Sequence, residues 1–203
     1  MKSVLISIQP KWVEKIVSGE KTIEVRKTKP SVELPFKGLI YCTKANKNYD
    51  LYINEPSVRE QHGIFSRLRA GQEDVIKTIE SFDTFLANGK VIGEFICNKI
   101  GTLVYDDTTF RYPYYYGFGS LGGTAKACLT ADELLAYGKG KTLYGWHISN
   151  LVIYDKPKEL GEFKRPCNKE HDCGFCIRYD YMGHKCFDEL TRPPQSYCYV
   201  EEL

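Results

Sequence analysis

Three charged residues on one short segment, Lys21, Glu24 and Arg26, form the first group in the chain able to do chemistry together. In Lys21-Thr22-Ile23-Glu24-Val25-Arg26 apolar and polar residues alternate with the period of a strand. Ile23 and Val25 therefore share one face, and Thr22, Glu24 and Arg26 share the other. Glu24 and Arg26 then stand about 7 Å apart, within reach of one ligand. Lys21, at the turn entering the strand, converges on the same patch. Arginine offers a planar donor fork, glutamate an acceptor and lysine a mobile cation. Together they suffice to read a nucleobase edge and an adjoining phosphate. The plainer alternative is a solvated strand face whose charges pair with one another.

The cysteines are a second group. Five of the eight crowd the end of the chain, and Cys167, Cys173, Cys176 and Cys186 follow a C-x5-C-x2-C-x9-C spacing. In Cys173-Gly174-Phe175-Cys176 two intervening residues let both thiolates face one metal. His171 and His184 are interleaved and offer replacement ligands. Four thiolates so spaced suit a structural, tetrahedral Zn2+ with no open position; free thiols and disulfides are the alternatives. Cys42 and Cys97 sit in strand-like runs and read as small buried hydrophobes, and Cys198 reads as core.

Aromatic residues form the third group. The stretch Phe110-Arg111-Tyr112-Pro113-Tyr114-Tyr115-Tyr116-Gly117-Phe118-Gly119 is unusual, and Tyr114 and Tyr115 on a loop can stack unpaired bases. Packing of these tyrosines onto the body of the domain is the alternative. Arg26, Lys27, Lys29 and Lys37, with Arg59, Arg67 and Arg69, define a positive track if they share a cleft, and ordinary surface if they do not. His147, beside Trp146 in a strand, reads as structural. No P-loop, dinucleotide glycine motif or Ser-His-Asp arrangement is present, so phosphoryl transfer and redox chemistry lack sequence support.

The elements that must position these groups follow from patterning. An apolar run over residues 3–8 is a buried strand. Pro10 opens a helix carrying Trp12, Val13, Ile16 and Val17, which Gly19 stops. Strands follow at 21–26 and 38–43. Residues 45–87 form an insertion with helices expected at 58–69 and 73–86. A long strand or hairpin covers 89–104, bent at Gly101, and a second insertion spans 106–126. Thr130, with Glu133 three residues on, caps a helix to residue 137. A β run covers 141–154, and a last strand lies at 197–201. The order suggests a small mixed barrel: one domain over 1–160, and a cysteine-rich segment with closing strand over 161–203 packed on it.

Composition bounds the rest. The 203 residues are 27% charged and 42% hydrophobic with net charge +2, which gives no case for a general polyanion binder. Fifteen Tyr and ten Phe exclude intrinsic disorder. No apolar run approaches the roughly 20 residues of a membrane span, and no signal-peptide core follows Met1-Lys2-Ser3. A cytoplasmic protein with reduced thiols and no membrane partner is expected.

The run Gly19-x-Lys21-x-x-Glu24-x-Arg26, preceded by Pro10-Lys11-Trp12, resembles the motif of ASCH domains. Val91-Ile92-Gly93-Glu94 and Gly145-Trp146-His147-Ile148-Ser149-Asn150 resemble further strands of that family. The ending, residues 190–201, resembles that of bacterial and phage ASCH proteins, which often carry a cysteine-rich stretch before it. The resemblance implies an α+β fold, a PUA-like mixed β-barrel with flanking helices, and binding of RNA or a modified nucleoside through Lys21, Glu24 and Arg26. It also implies an alternative: a hydrolase, either a ribonuclease or like the relatives that deacetylate 4-acetylcytidine, with Lys21 and Glu24 as catalytic pair. Those relatives read Lys-x-x-Thr-x-Arg; Lys21 and Arg26 match, whereas Glu24 replaces the threonine. A carboxylate cannot be the hydroxyl nucleophile, although it can act as general base for water.

The tail spacing makes one prediction. Metal analysis of the purified protein should return about one equivalent of zinc, released on mutating Cys173 and Cys176 to Ser; a metal-free, folded protein would refute the assignment.

Overall fold

The computed structural model describes residues 3–44, 50–54, 63–68, 84–108, 114–117, 123–166 and 190–202. Cys167, Cys173, Cys176 and Cys186, with His171 and His184, lie outside them. Among the described residues there are thirteen strands and two α-helices.

The apolar run of β1 (Ser3–Ile8) is buried along its whole length because it lies inside a sheet covered on both faces. It runs parallel to β3 (Phe36–Cys42) and antiparallel to β13 (Tyr197–Glu202). With β7 (Val91–Cys97), β11 (Ser149–Lys158) and β12 (Phe163–Lys164), these make a six-stranded mixed sheet ordered β11-β7-β3-β1-β13-β12. A four-stranded antiparallel sheet is ordered β2-β10-β8-β9, from β2 (Ile23–Arg26), β10 (Leu143–His147), β8 (Ile100–Asp106) and β9 (Tyr114–Gly117). The first insertion supplies a third sheet: β4 (Asp50–Asn54) between β5 (Gly63–Leu68) and β6 (Thr84–Leu86).

The strands form separate sheets rather than the closed barrel expected from the sequence. The reason is a corner. The β7–β11 pair of the large sheet continues as the β8–β10 pair of the small one, and both strands break between the sheets. On one strand the break falls at Asn98 and Lys99, not at Gly101 as the sequence suggested; on the other it falls at Ile148. Strands that change sheet through such bends are how two sheets share a corner. His147 Nδ1 lies 2.8 Å from Asn98 Oδ1, and the His147 N–H donates to Lys99 O at 3.0 Å. The Ser149 hydroxyl donates to Ile96 O at 2.7 Å, and Asn150 adopts a left-handed conformation at φ 48. His147 is thus structural. Beside the corner, Gly93 lies so close to the Val152 carbonyl that a Cβ there would collide with backbone.

Helix α1 (Pro10–Val17) buries Pro10, Val13 and Ile16 in the main core, which also takes Val4, Ile6, Ile40, Phe95 and Trp146. Helix α2 (Ala131–Gly138) has the expected capping box between Thr130 and Glu133. It covers the other face of the small sheet, where Leu134 meets Ile23, Val25, Leu103 and Leu143. The helix expected at 58–69 is replaced over its second half by β5, which pairs with β4; β4 in turn is anchored by core residues Leu51 and Ile53. Backbone pairing to an anchored strand overrode a short apolar run of ambiguous period. Of the helix expected at 73–86, residues 84–86 are strand β6 and 73–83 lie outside the described residues. Cys42 and Cys97 are buried, and burial pushes their thiols up to about 12 and about 11.

On the outer face of the large sheet, Glu94 accepts from Lys37 Nζ at 2.8 Å and from the Tyr154 hydroxyl at 2.9 Å. Burial raises the Glu94 carboxyl, but these two donors and the charges of Lys37 and Lys158 more than offset it, leaving it below the usual range. A depressed carboxyl stabilises the fold above its unfolded value of about 4.3, and the contribution is lost as pH falls through the folded value. In urea unfolding at pH 7, Glu94→Gln should lose about 1 kcal/mol, and the deficit should shrink below about pH 4. A deficit that does not change with pH would exclude this origin.

Candidate functional site

Lys21, Glu24 and Arg26 are brought together, but inside the molecule rather than on a solvated face: they are 2%, 6% and 7% exposed. The end of α1 places the first of them. Gly19, at φ 77, turns the chain, and the Lys21 N–H donates to Lys15 O at 2.8 Å. From there β2 pairs with β10 in the register Arg26–Tyr144, Val25–Gly145, Glu24–Trp146 and Ile23–His147. The alternation read from the sequence holds, and both faces of the strand are covered. Ile23 and Val25 enter the core beneath α2, while Thr22, Glu24 and Arg26 face the large sheet.

Arg26 Nη2 lies 3.1 Å from Glu24 Oε1, and Lys21 Nζ lies 3.4 Å from Glu24 Oε2. Arg26 also donates from Nη2 to Ser7 O at 2.6 Å, which ties β2 to β1 across the gap between the sheets. Lys21 Nζ donates to Ile23 O at 2.8 Å and to Ala127 O at 2.6 Å, the latter in a 3₁₀ turn (Thr124–Ala127). With one carboxylate against two cations, the cluster carries an excess positive charge.

Part of its hydrogen-bonding capacity is not used within the protein. Among the described residues, Thr22 Oγ1, Glu24 Oε2, Arg26 Nε and Trp146 Nε1 are buried without a hydrogen-bond partner. The Lys21–Glu24 contact is thus ionic without hydrogen-bond geometry. Two of these four atoms belong to one face of β2, Thr22 directly precedes that strand, and Trp146 stands opposite Glu24 on β10. They comprise two N–H donors, a carboxylate acceptor and a hydroxyl that does both. Trp146 is held in place by Phe36 and Tyr197, at ring distances of 5.6 and 5.1 Å. Trp146 was not singled out from the sequence as a site residue; its position opposite Glu24 depends on a strand pairing between residues far apart in the chain.

Tyr114 and Tyr115 lie on strand β9, at the opposite edge of the small sheet from β2, three strand spacings or about 14 Å away. They point to opposite faces. Tyr115 packs against Tyr105 at 5.5 Å, and its hydroxyl donates to Lys141 O at 2.8 Å. Tyr114 lies on the face that holds Glu24 and Arg26, with its hydroxyl 3.4 Å from Asp106 Oδ2.

A cleft of about 480 Å3 lies beside the cluster, lined by Lys11, Trp12, Glu14, Lys15, Glu20, Cys128 and Glu133. The Trp12 ring centroid is 5.3 Å from Lys21 Nζ. Lys15 pairs with Glu20 at 2.9 Å and Lys11 with Glu133 at 3.5 Å, so the cations of this cleft are engaged by carboxylates. Among the described residues no group of three or more His, Cys, Asp or Glu side chains is placed to hold a metal, and no helix is long and apolar enough to cross a membrane.

Residues 6–104 match the ASCH domain. That segment contains α1, the charged strand and the start of the corner, and is slightly less than half of the chain. Strand β9, the capped helix α2 and the strand bearing Trp146 lie beyond the ASCH segment. Two crystal structures from Zymomonas mobilis, an ASCH protein and a single-residue variant of it, are similar to this chain at 17% and 16% identity. Their TM-scores are 0.45 and 0.46, covering 98% and 99% of this chain and 87% and 91% of theirs. No curated protein matches the chain.

Removing Glu24 should leave two buried cations uncompensated. Glu24→Ala is expected to destabilise the protein by about 3–5 kcal/mol in urea unfolding. A loss below about 1 kcal/mol would mean that water already screens the cluster.

Proposed function

We propose that the protein binds RNA or a modified nucleoside, with a base edge entering against Thr22, Glu24, Arg26 and Trp146. The observation that carries this is the row of four buried polar atoms left without partners on one sheet face. Such atoms are costly in an apolar interior and are normally satisfied by water or a ligand. Two donors, an acceptor and a hydroxyl across two adjacent strands suit a planar ring with mixed donor and acceptor edges. The ASCH match adds support, since that domain is associated with RNA binding. In this reading Glu24 accepts from a base amine, Arg26 donates through Nε, and Lys21 holds Glu24 in place and supplies the second cation.

One contact favours a second reading. Glu24 Oε2 lies 3.4 Å from Lys21 Nζ and has no hydrogen bond, the arrangement of a carboxylate that can take a proton from water. This is the hydrolase alternative. Against it, Lys21 already donates to two carbonyls and so offers no lone pair to a substrate.

Arg26→Lys keeps the charge but removes Nε and the Nη2 that bonds Ser7 O, so its urea unfolding is measured beside its binding and only a folded variant is compared. Calorimetry with nucleosides, 4-acetylcytidine included, should show binding by the wild type and about tenfold weaker binding by the variant. Equal affinities, or no binding by the wild type at low salt, would overturn the proposal. Turnover of 4-acetylcytidine or a short RNA, lost in Lys21→Ala, would establish the hydrolase instead.

A further inference from the structure

The face of the small sheet that holds Glu24 and Arg26 does not end where the large sheet stops covering it. Strand pairing carries it across all four strands: Arg26 lies beside Tyr144 and Tyr144 beside Thr102, and then Val104 pairs with Tyr116 and Asp106 with Tyr114. Successive side chains alternate between faces, so Glu24, Arg26, Tyr144, Trp146, Thr102, Val104, Tyr114 and Tyr116 all belong to one surface. Its inner half is buried: Trp146 is 0% exposed. Its outer half is open. Tyr116 is 49% and Val104 38% exposed, Thr102 is exposed, and Tyr144 and Tyr114 are half-buried. The rings of Tyr114 and Tyr116 lie 5.8 Å apart, side by side on the strand. Tyr115 and Tyr105 form the opposite face and pack against the domain, so the open tyrosines are not needed for that core.

Four exposed cations gather at one end of this face. Lys27 and Lys29 follow β2 directly, Lys139 and Lys141 precede β10, and all four are exposed. These segments meet at the end of the sheet where Arg26 pairs with Tyr144. Half-buried Asp106, on the same face as Tyr114, and exposed Asp107 stand at that end of the sheet too, on the neighbouring strand. The cleft beside α1 has no such excess, since its lysines are paired with carboxylates.

We infer that this open sheet face is a stacking platform for single-stranded RNA, on which unpaired bases lie against Tyr116, Tyr114 and Tyr144 while one base enters the Glu24–Arg26 site. The inference rests on the binding reading above and extends it from a nucleoside to a strand. Aromatic side chains on an open sheet stack bases with little regard to sequence, and flanking lysines take the phosphates. Tyr116 lies about 14 Å from the strand of Arg26, so a lone nucleoside held at Arg26 does not touch it, whereas an RNA of several nucleotides does.

That geometry separates the two claims experimentally. Fluorescence anisotropy with a labelled single-stranded RNA of about ten nucleotides, within the usual site size, measures the strand. Calorimetry with free nucleosides measures the inner site. Tyr116→Ala should weaken RNA binding about 5- to 100-fold and leave nucleoside binding unchanged; Tyr116→Phe should retain both. Thr102→Glu, on an exposed position, should weaken RNA binding at low salt and flatten its loss with salt. Nucleoside binding by the wild type with RNA affinity indifferent to Tyr116→Ala and Thr102→Glu would overturn this inference alone and leave the face to another kind of partner. Absence of both RNA and nucleoside binding would overturn it together with the reading it rests on.

Discussion

The gap between the two sheets is bridged by charge. Arg26 reaches from β2 to a β1 carbonyl, Lys21 reaches from the end of α1 to the 3₁₀ turn before α2, and Glu24 stands between them. Desolvating three charges is expensive, and hydrophobic side chains of similar volume usually serve stability as well or better. A cluster of this kind persists only where each charge is countered locally. The backbone carbonyls of Ser7, Ile23 and Ala127 do part of that work and Glu24 the rest. The relative placement of α1, β1, β2 and the α2 entry is therefore set by directional bonds rather than by packing alone. Hydrogen-bond geometry tolerates less sliding than an apolar contact does.

The corner formed by β7–β8 and β10–β11 determines how far that arrangement stays covered. Because the strand pair bends at Asn98–Lys99 and Ile148, the large sheet shelters Trp146, Ile100 and the charged residues but leaves the far end of β8 and β9 open. A single surface thus passes from a dry, polar interior to an aromatic exterior without crossing a loop. The dry end strengthens any hydrogen bond made there, and the exposed end provides area for stacking. The second core, beneath α2, makes this possible by holding the small sheet from behind through Ile23, Val25, Leu103 and Leu143.

Much of the framework was legible in local patterns. The Pro10 start, the stripe of Val13 and Ile16, and the Gly19 turn mark α1; Thr130 and Glu133 mark the capped helix; Ile23 and Val25 against Glu24 and Arg26 mark the charged strand. Each of these signals lies within a few residues. The helix expected at 58–69 failed because its apolar residues fit either period and an anchored neighbour, β4, was available for pairing. The position of the sheet corner was misread for a similar reason. Gly101 was the more permissive residue, yet the bend falls where Asn98, Lys99 and His147 can bond across it.

By itself, the sequence determined which residues were chemically able to form a site and that Glu24 and Arg26 share a face, because alternation along a strand is a property of the backbone. It did not determine what that face meets. Burial of the charges, the pairing of Glu24 with Trp146, and the division of Tyr114 and Tyr116 from Tyr115 were decided by strand register between segments far apart in the chain. Register depends on the summed fit of many side chains and on where a shared strand bends, and a one-residue slip moves every side chain to the other face. The same two charged residues would be an ordinary solvated pair on an uncovered sheet; beneath the large sheet they become a buried, charged interior cluster.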